Sequence, residues 1–383
     1  MIYKYRDILY TLYKMNPVIS HISDEDSYTK FTLSGVNVSI ANAVRRIMLA
    51  EIPIIVFRTT PHDKNMASIT INTCRLNNEL IKQRLSCIPI YITDIDFDYQ
   101  NYVLEVDKKN GSDTIEFITT ADFKIKNINT GTYLTDAETH KIFPPDLITG
   151  DYIDFVRLRP RISDDIAGEH VKLTCKFDIG WAGQDSAFNI VSTCAYANTP
   201  NPVKIKEAWI LKEAELKKTG ISTEELEFAK KDWHFIDAKR IFLEDSFDFI
   251  IESVGPFSNM SIMHKAIDIM LKKLENFKDK MQTEQELVAT SDSTIPNCYD
   301  ITLKNEGYTL GKVIEYILYS KYYGNAVTYC GFRKPHPHID ISMIRIAFKE
   351  QTDKISAISY LTSSANEAIV CYQKLLKVFE NNI

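Results

Sequence analysis

Lys30-Phe-Thr-Leu-Ser-Gly-Val-Asn-Val-Ser-Ile-Ala-Asn-Ala-Val-Arg-Arg-Ile-Met-Leu49 aligns without gaps on Asp300-Ile-Thr-Leu-Lys-Asn-Glu-Gly-Tyr-Thr-Leu-Gly-Lys-Val-Ile-Glu-Tyr-Ile-Leu-Tyr319, at a constant offset of 270 residues. Each copy reads as a short strand, a tight turn and a helix opened by a hydroxyl residue, Ser39 or Thr309. Such a side-chain oxygen meets the orphan N–H groups of a first helical turn. No Glu or Gln follows three residues later, so a full capping box is not expected. Apolar residues at 40, 43, 44, 47, 48 and at 310, 313, 314, 317, 318 form the stripe of a half-buried helix. Two unrelated amphipathic helices would explain the stripes but not the matched strand, cap position and spacing. The reading adopted is one supersecondary unit carried twice, its copies brought together as a pseudo-dimer.

The bulk composition bounds the class. A chain of 383 residues is long for one core, so two or three domains are expected. Apolar content of 45% and charged content of 25% are those of a globular protein. A net charge of −6 argues against a chain that grips nucleic acid by itself. No apolar run approaches the ~18–20 residues of a membrane helix. The opening Met1-Ile-Tyr-Lys-Tyr-Arg-Asp scatters its charges and is not expected to be a secretory signal. Cysteines at 74, 87, 175, 194, 298, 330 and 371 include no Cys-x-x-Cys, which suggests buried thiols in a reducing, intracellular compartment.

Along the chain, residues 1–15 read as a short arm or extra helix. A β-rich stretch covers 59–184, with alternating segments at Tyr102-Val-Leu-Glu-Val and His170-Val-Lys-Leu-Thr-Cys. A charged helical patch follows at 203–240. Two long helices then carry apolar seams at spacings of three and four. One holds Met263, Ile267, Met270, Leu274, Phe277 and Met281; the other holds Ile358, Leu361, Ala365, Ala368, Tyr372, Leu375 and Phe379. Polar residues in Thr283–Pro296 read as a linker between halves.

At this level of detail the residues resemble a known family. Asn42-Ala-Val-Arg-Arg-Ile-Met-Leu-Ala-Glu-Ile-Pro, Asn78-Glu-Leu-Ile-Lys-Gln-Arg-Leu-Ser-Cys and Phe249-Ile-Ile-Glu-Ser-Val-Gly-Pro are similar to segments of the assembly subunits of cellular RNA polymerases. These are the bacterial alpha subunit and the third-largest subunit of eukaryotic RNA polymerase II. Gly307-Tyr-Thr-Leu-Gly-Lys and Tyr329-Cys-Gly-Phe-Arg-Lys-Pro-His-Pro resemble the eleventh-largest subunit, the smaller alpha-like partner.

The resemblance implies an α+β fold of two alpha-type dimerisation modules, forming an intramolecular pseudo-dimer with a β-rich domain inserted in the first. The implied boundaries are 1–58 plus 185–285 for the first module, 59–184 for the insert, 286–296 for the linker and 297–383 for the second module. It also implies a non-catalytic assembly platform for a multisubunit DNA-directed RNA polymerase. The two chains would here be fused, as in large DNA viruses that replicate in the cytoplasm. Met263, Ile267, Met270, Leu274, Leu361, Ala365, Ala368, Tyr372 and Leu375 would pair the modules. Asn42, Arg45, Arg46 and Lys312 would face the two largest subunits. Implied partners are those subunits and a small tenth- or twelfth-type subunit. DNA would be met only indirectly, with no membrane and no homo-oligomer. The expected location is the host cytoplasm, and the virion, if the chain is viral, and otherwise the nucleus. Some relatives carry a cysteine cluster in the insert. Residues 95–104 here contain none, so neither a metal nor another cofactor is expected.

Three constellations remain. Asp94, Asp96 and Asp98 would share a strand face if extended, the basis of an alternative reading as a stand-alone metal-dependent enzyme. His336 and His338 lie in a proline-rich stretch that reads as a turn. Arg45 and Arg46 lie off the apolar stripe. Alone they could suggest a DNA-binding protein, but arginine's planar fork equally suits a protein interface, the reading preferred here.

Overall fold

The computed structural model describes residues 15–25, 27–163 and 165–380. All but the last residue of the expected N-terminal arm lies outside them. The chain divides into two compact units. One comprises the described part of Met1–Ile47 with Thr193–Glu252 and Asn259–Ile383; the other comprises Met48–Ser192 and Ser253–Ser258.

The first unit opens with strands β1 (Val18–Glu25) and β2 (Tyr28–Ser34), followed by helix α1 (Val38–Ala50). Gly35 makes the turn between β2 and α1 at φ 73°, where a Cβ would lie 2.1 Å from the Asn16 carbonyl oxygen. The chain then builds the second unit from β3 (Ile54–Val56), β4 (Ala67–Asn72), α2 (Asn78–Ser86), β5 (Tyr102–Lys109), β6 (Glu116–Thr119), β7 (Lys124–Asn127), α3 (Asp136–Ile142), β8 (Asp154–Leu158), β9 (His170–Lys176) and β10 (Asp178–Gly180). Alternation along β5 and β9 turns Leu104, Val106, Val171 and Leu173 into one core. Phe123 meets Phe143 and Phe155 there edge-to-face, at 5.2 and 5.5 Å. The strands pair in the order β4-β9-β5-β7, with β6-β8 and β10-β3 as separate two-stranded sheets.

The first unit resumes with β11 (Val191–Pro200), α4 (Pro202–Lys218), α5 (Thr223–Phe235), β12 (Phe242–Ser253) and the long α6 (Asn259–Thr283). It continues through β13 (Val288–Thr290), β14 (Cys298–Lys304), α7 (Tyr308–Tyr322), β15 (Val327–Arg333), β16 (Ile341–Phe348) and α8 (Lys354–Glu380). Its two four-stranded sheets run β1-β2-β12-β11 and β13-β14-β16-β15. In each, the order is first, second, fourth, third, with a helix after the second strand and a long helix after the fourth. The offset of 270 seen in the sequence carries β2 onto β14, residue 28 to 298 and 34 to 304, and the start of α1 onto that of α7, 38 to 308. The charged patch is the α4–α5 hairpin, closed by Trp209 and Trp233 with ring centroids 5.4 Å apart.

Two expectations are corrected. Ser39 and Thr309 lie inside their helices. The Ser39 N–H donates to Asn37 Oδ1 at 2.9 Å, so Asn37 is the cap; α7 is capped by Gly307 without a side-chain bond. The stretch 286–296 is not a free connector, because Val288–Thr290 forms β13 and pairs with Tyr299–Ile301. Leu287 and Val288, two apolar residues in a polar run, are buried and draw the chain onto the sheet.

All ten stripe positions of α1 and α7 are buried, as are the seams of α6 and α8. The two long helices pack along each other. The last turn of α8 sets Phe379 edge-on to Phe31 at 5.5 Å, and Phe31 stacks on its strand partner Phe249 at 5.1 Å. In the opposite sense, Lys273 of α6 reaches Glu306, just before α7, at 3.0 Å. Each long helix thus contacts the strand–helix unit of the other half of the chain.

Tyr372 of α8 is fully buried, with its hydroxyl 3.5 Å from the Ile40 carbonyl oxygen. Tyr372→Ala should therefore cost about 3–5 kcal/mol in urea unfolding. Tyr372→Phe keeps the ring and loses one long hydrogen bond, about 0.5–1.5 kcal/mol. Equal losses would show that the hydroxyl rather than the ring holds α8 in place.

Arg345 donates to Asp300 through Nε and Nη2, at 2.6 and 2.7 Å, between directly opposed residues of β16 and β14. This guanidinium holds the Asp300 carboxyl below its usual range. A depressed folded-state pKa contributes stability above the unfolded value, about 3.9 for Asp, and loses it as pH falls through the folded value. Asp300→Asn should therefore be less stable than the parent at neutral pH, and the gap should close as melts are taken into acid. A gap independent of pH would sink the electrostatic explanation.

Candidate functional site

Helix α1 presents the arginine pair because its stripe at Ile40, Ala43, Val44 and Ile47 is turned inward. Arg45 is half-buried and donates from Nε to Asn42 Oδ1 at 3.1 Å, one turn back. That bond fixes the orientation of the guanidinium. Arg46 is exposed and donates from Nε to Thr309 Oγ1 at 3.1 Å. Thr309 is thus the acceptor that ties α1 to α7, a role its reading as a cap had hidden. Lys312 lies one turn further along α7, exposed, paired with Glu315 at 2.5 Å and set over the Phe332 ring at 5.9 Å. Beside it Gly311 lets β15 approach, since a Cβ there would lie 2.1 Å from the Phe332 ring. Asn42, Arg45, Arg46 and Lys312 therefore belong to two helices linked by the Arg46–Thr309 bond.

Met263, Ile267, Met270, Leu274, Leu361, Ala365, Ala368, Tyr372 and Leu375 are all buried on the facing long helices. Small Ala365 and Ala368 allow close approach, and Tyr372 is the largest side chain of the seam to be fully buried. The sequence reading overlooked Phe379 as an anchor on the first sheet and the Lys273–Glu306 pair. An i, i+7 step from Tyr372 pointed to the first; nothing local marked the second.

The aspartate run is not a strand face. Asp94, Asp96 and Asp98 are exposed in a turn before a short helical turn, and Asp94 Oδ1 accepts the Asp96 N–H at 2.9 Å. Asp98 is hydrogen-bonded to Asn101. Among the described residues no group of three or more His, Cys, Asp or Glu side chains could hold a metal ion. His336 and His338 lie at a turn, the His338 N–H donating to His336 Nδ1 at 3.2 Å. Burial pushes the thiols of Cys175, Cys194, Cys330 and Cys371 up to about 12, which leaves them unreactive near neutral pH. No described helix is long and apolar enough to cross a membrane.

The α4–α5 hairpin adds a surface the sequence reading did not assign. Ile210, Leu211, Phe228 and Phe235 are all more than half exposed on it.

Comparison with known proteins agrees with this architecture. Residues 30–274 and, separately, 298–377 match the family described as the RNA polymerase Rpb3/Rpb11 dimerisation domain. The DNA-directed RNA polymerases IV and V subunit 3B of Arabidopsis thaliana is 37% identical over 78 residues, 20% of this chain and 22% of its own length. The DNA-directed RNA polymerases I and III subunit RPAC1 of Mus musculus is 23% identical over 301 residues, 67% of this chain and 82% of its own. A putative DNA directed RNA polymerase subunit, R470 of Acanthamoeba polyphaga mimivirus, is 31% identical over 115 residues, 30% of each chain. The match to the plant relatives spans about a fifth of their length. With the first match alone covering well over half of the sequence, the chain belongs to the RNA polymerase Rpb3/Rpb11 dimerisation-domain family.

Proposed function

We propose that the chain is a fused, non-catalytic assembly platform of a multisubunit DNA-directed RNA polymerase. Residues 1–58 with 185–285 form a third-subunit-like module, 59–184 its insert, and 297–383 an eleventh-subunit-like module. The two modules pair as an intramolecular pseudo-dimer through α6 and α8, and the α1–α7 surface docks the two largest subunits. A small tenth- or twelfth-type subunit completes the set. The observation that carries this reading is the pair of family matches falling on two modules of the same strand order. The mimivirus relative favours a viral setting, with the host cytoplasm and the virion as locations. Fusion makes the pairing intramolecular, with effective concentrations of order mM. The rival reading as a metal-dependent enzyme loses its geometric basis with the Asp94–Asp98 turn.

A protease site inserted at Thr294, in the exposed turn between β13 and β14, tests the pairing. The cut halves should co-elute on gel filtration at micromolar concentration. Separation would refute the pseudo-dimer.

The docking surface is tested by Arg45→Glu with Arg46→Glu. In the isolated chain the loss of the bonds to Asn42 and Thr309 should cost about 1–3 kcal/mol. At an interface, losing buried hydrogen-bonded charge pairs costs about 2–5 kcal/mol, so pull-down of the largest subunits should fail while the melt still shows a folded chain. Retained pull-down would place the docking surface on another face.

A further inference from the structure

The second unit carries a groove of about 400 Å³ in which Arg75, Arg84, Arg157 and Arg159 converge. Four guanidiniums on one wall are unexpected in a chain of net charge −6. Two of them are occupied internally. Arg84, at the end of α2, donates to the carbonyl oxygens of Phe155 and Asp154 at 2.6 and 2.7 Å, holding the outer edge of β8. Arg159 is paired with the buried Glu169 at 2.5 Å. Arg75 and Arg157 are exposed and have no ion pair among the described residues. Asp154 is the one further carboxylate on the wall, so the groove retains excess positive charge.

The groove also has an apolar element. Phe117 is 44% exposed and stands directly opposite Arg157 in the β6–β8 pair. Their neighbours Ile118 and Val156 point into the core, so ring and guanidinium share the outward face. Leu76 adds a second apolar contact beside Arg75.

We propose that this groove binds an extended acidic segment of a partner protein, its carboxylates meeting the Arg75 and Arg157 forks and an apolar side chain lying on Phe117 and Leu76. The planar fork of arginine matches a carboxylate bidentately. Single-stranded nucleic acid fits less well. Its binding relies on successive stacking rings along a positive track, whereas this wall offers one exposed ring and an exposed carboxylate. The acidic chain also repels a polyanion more than a peptide carrying a few charges. The assignment does not depend on the assembly role, which stands whether or not the groove binds such a segment.

The test is fluorescence anisotropy of the full chain with a fluorescein-labelled peptide of alternating Glu and Phe, a matching peptide with Gln for Glu, and labelled oligouridylate. The acidic peptide should bind saturably, more weakly as salt rises, and better than the other two probes. Arg75→Glu with Arg157→Glu should weaken it about tenfold or more, and Phe117→Ser should weaken it without changing the salt dependence. Both arginines are exposed, so the melt should hold. If the double reversal lowers the melt, Arg75→Gln with Arg157→Gln carries the same readout. Absence of saturable binding, or binding indifferent to the arginines, would overturn the proposal. So would oligouridylate binding tighter than the peptide and lost with the same substitutions.

Discussion

The first unit depends on the contact between α6 and α8. Each helix has an apolar stripe running most of its length, and neither stripe could be left in water: burying one Leu, Met or Phe side chain is worth about 1.5–3 kcal/mol. Facing each other, the helices remove both stripes at once. The ends of the contact are then fixed by groups outside the seam, Phe379 against Phe31 at one side and Lys273 against Glu306 at the other. The ion pair is only about a fifth exposed, so desolvation offsets much of its attraction, and its part is to set register more than to add stability. Because these contacts join residues far apart in sequence, part of each sheet's cover comes from the other half of the chain. Local strand pairing alone would leave Phe31, Phe249, Ile301 and Leu303 exposed on open faces.

Much of this was legible because it is periodic. Stripes with the helical repeat name the buried face of a helix whatever it packs on, and a constant offset names two copies of one unit. The second unit's strands at 102–109 and 170–176 were legible through alternation for the same reason. Failures came where a local polar group had a choice. Asn37 ranks with Ser as a cap, and it lies where the backbone leaves the Gly35 turn, so it closes the helix before Ser39 can. Asp94 could continue a strand or bond its own backbone two residues on, and the short side chain took the second course. A strand as short as Val288–Thr290 has no period to detect. The arginine groove was illegible for a different reason: positions 75, 84, 157 and 159 meet only through folding of α2 onto β8.

Inward and outward positions differ in how well they match between the two copies. Inward positions keep their character across the offset, Leu33 with Leu303 and Ile47 with Ile317, because each faces a closed core. Outward positions do not: Asn42 stands against Lys312, Arg45 against Glu315 and Arg46 against Tyr316. Tyr316 is partly buried, its hydroxyl pushed toward the protonated form by that burial, where Arg46 is exposed. A true two-fold dimer would present one patch twice. Here the equivalent helices differ in charge at all three places, and at 45 and 315 the charges are opposite.

In the proposed role, that asymmetry decides which partner each half can accept. Two identical faces would bind two copies of one partner with equal affinity, and nothing would set which partner sits where. An arginine pair on one helix and a Lys312-paired glutamate at the equivalent place on the other would receive different partners, and like-charge juxtaposition across an interface costs several kcal/mol. Specificity of this kind comes as much from the repelled partner as from the accepted one. In the proposed role, the chain would then keep a symmetric interior for stability and an asymmetric exterior for order of assembly. The Arg46–Thr309 bond links the two exteriors: Arg46 donates to α7, so a partner that draws its guanidinium away from Thr309 must replace that bond.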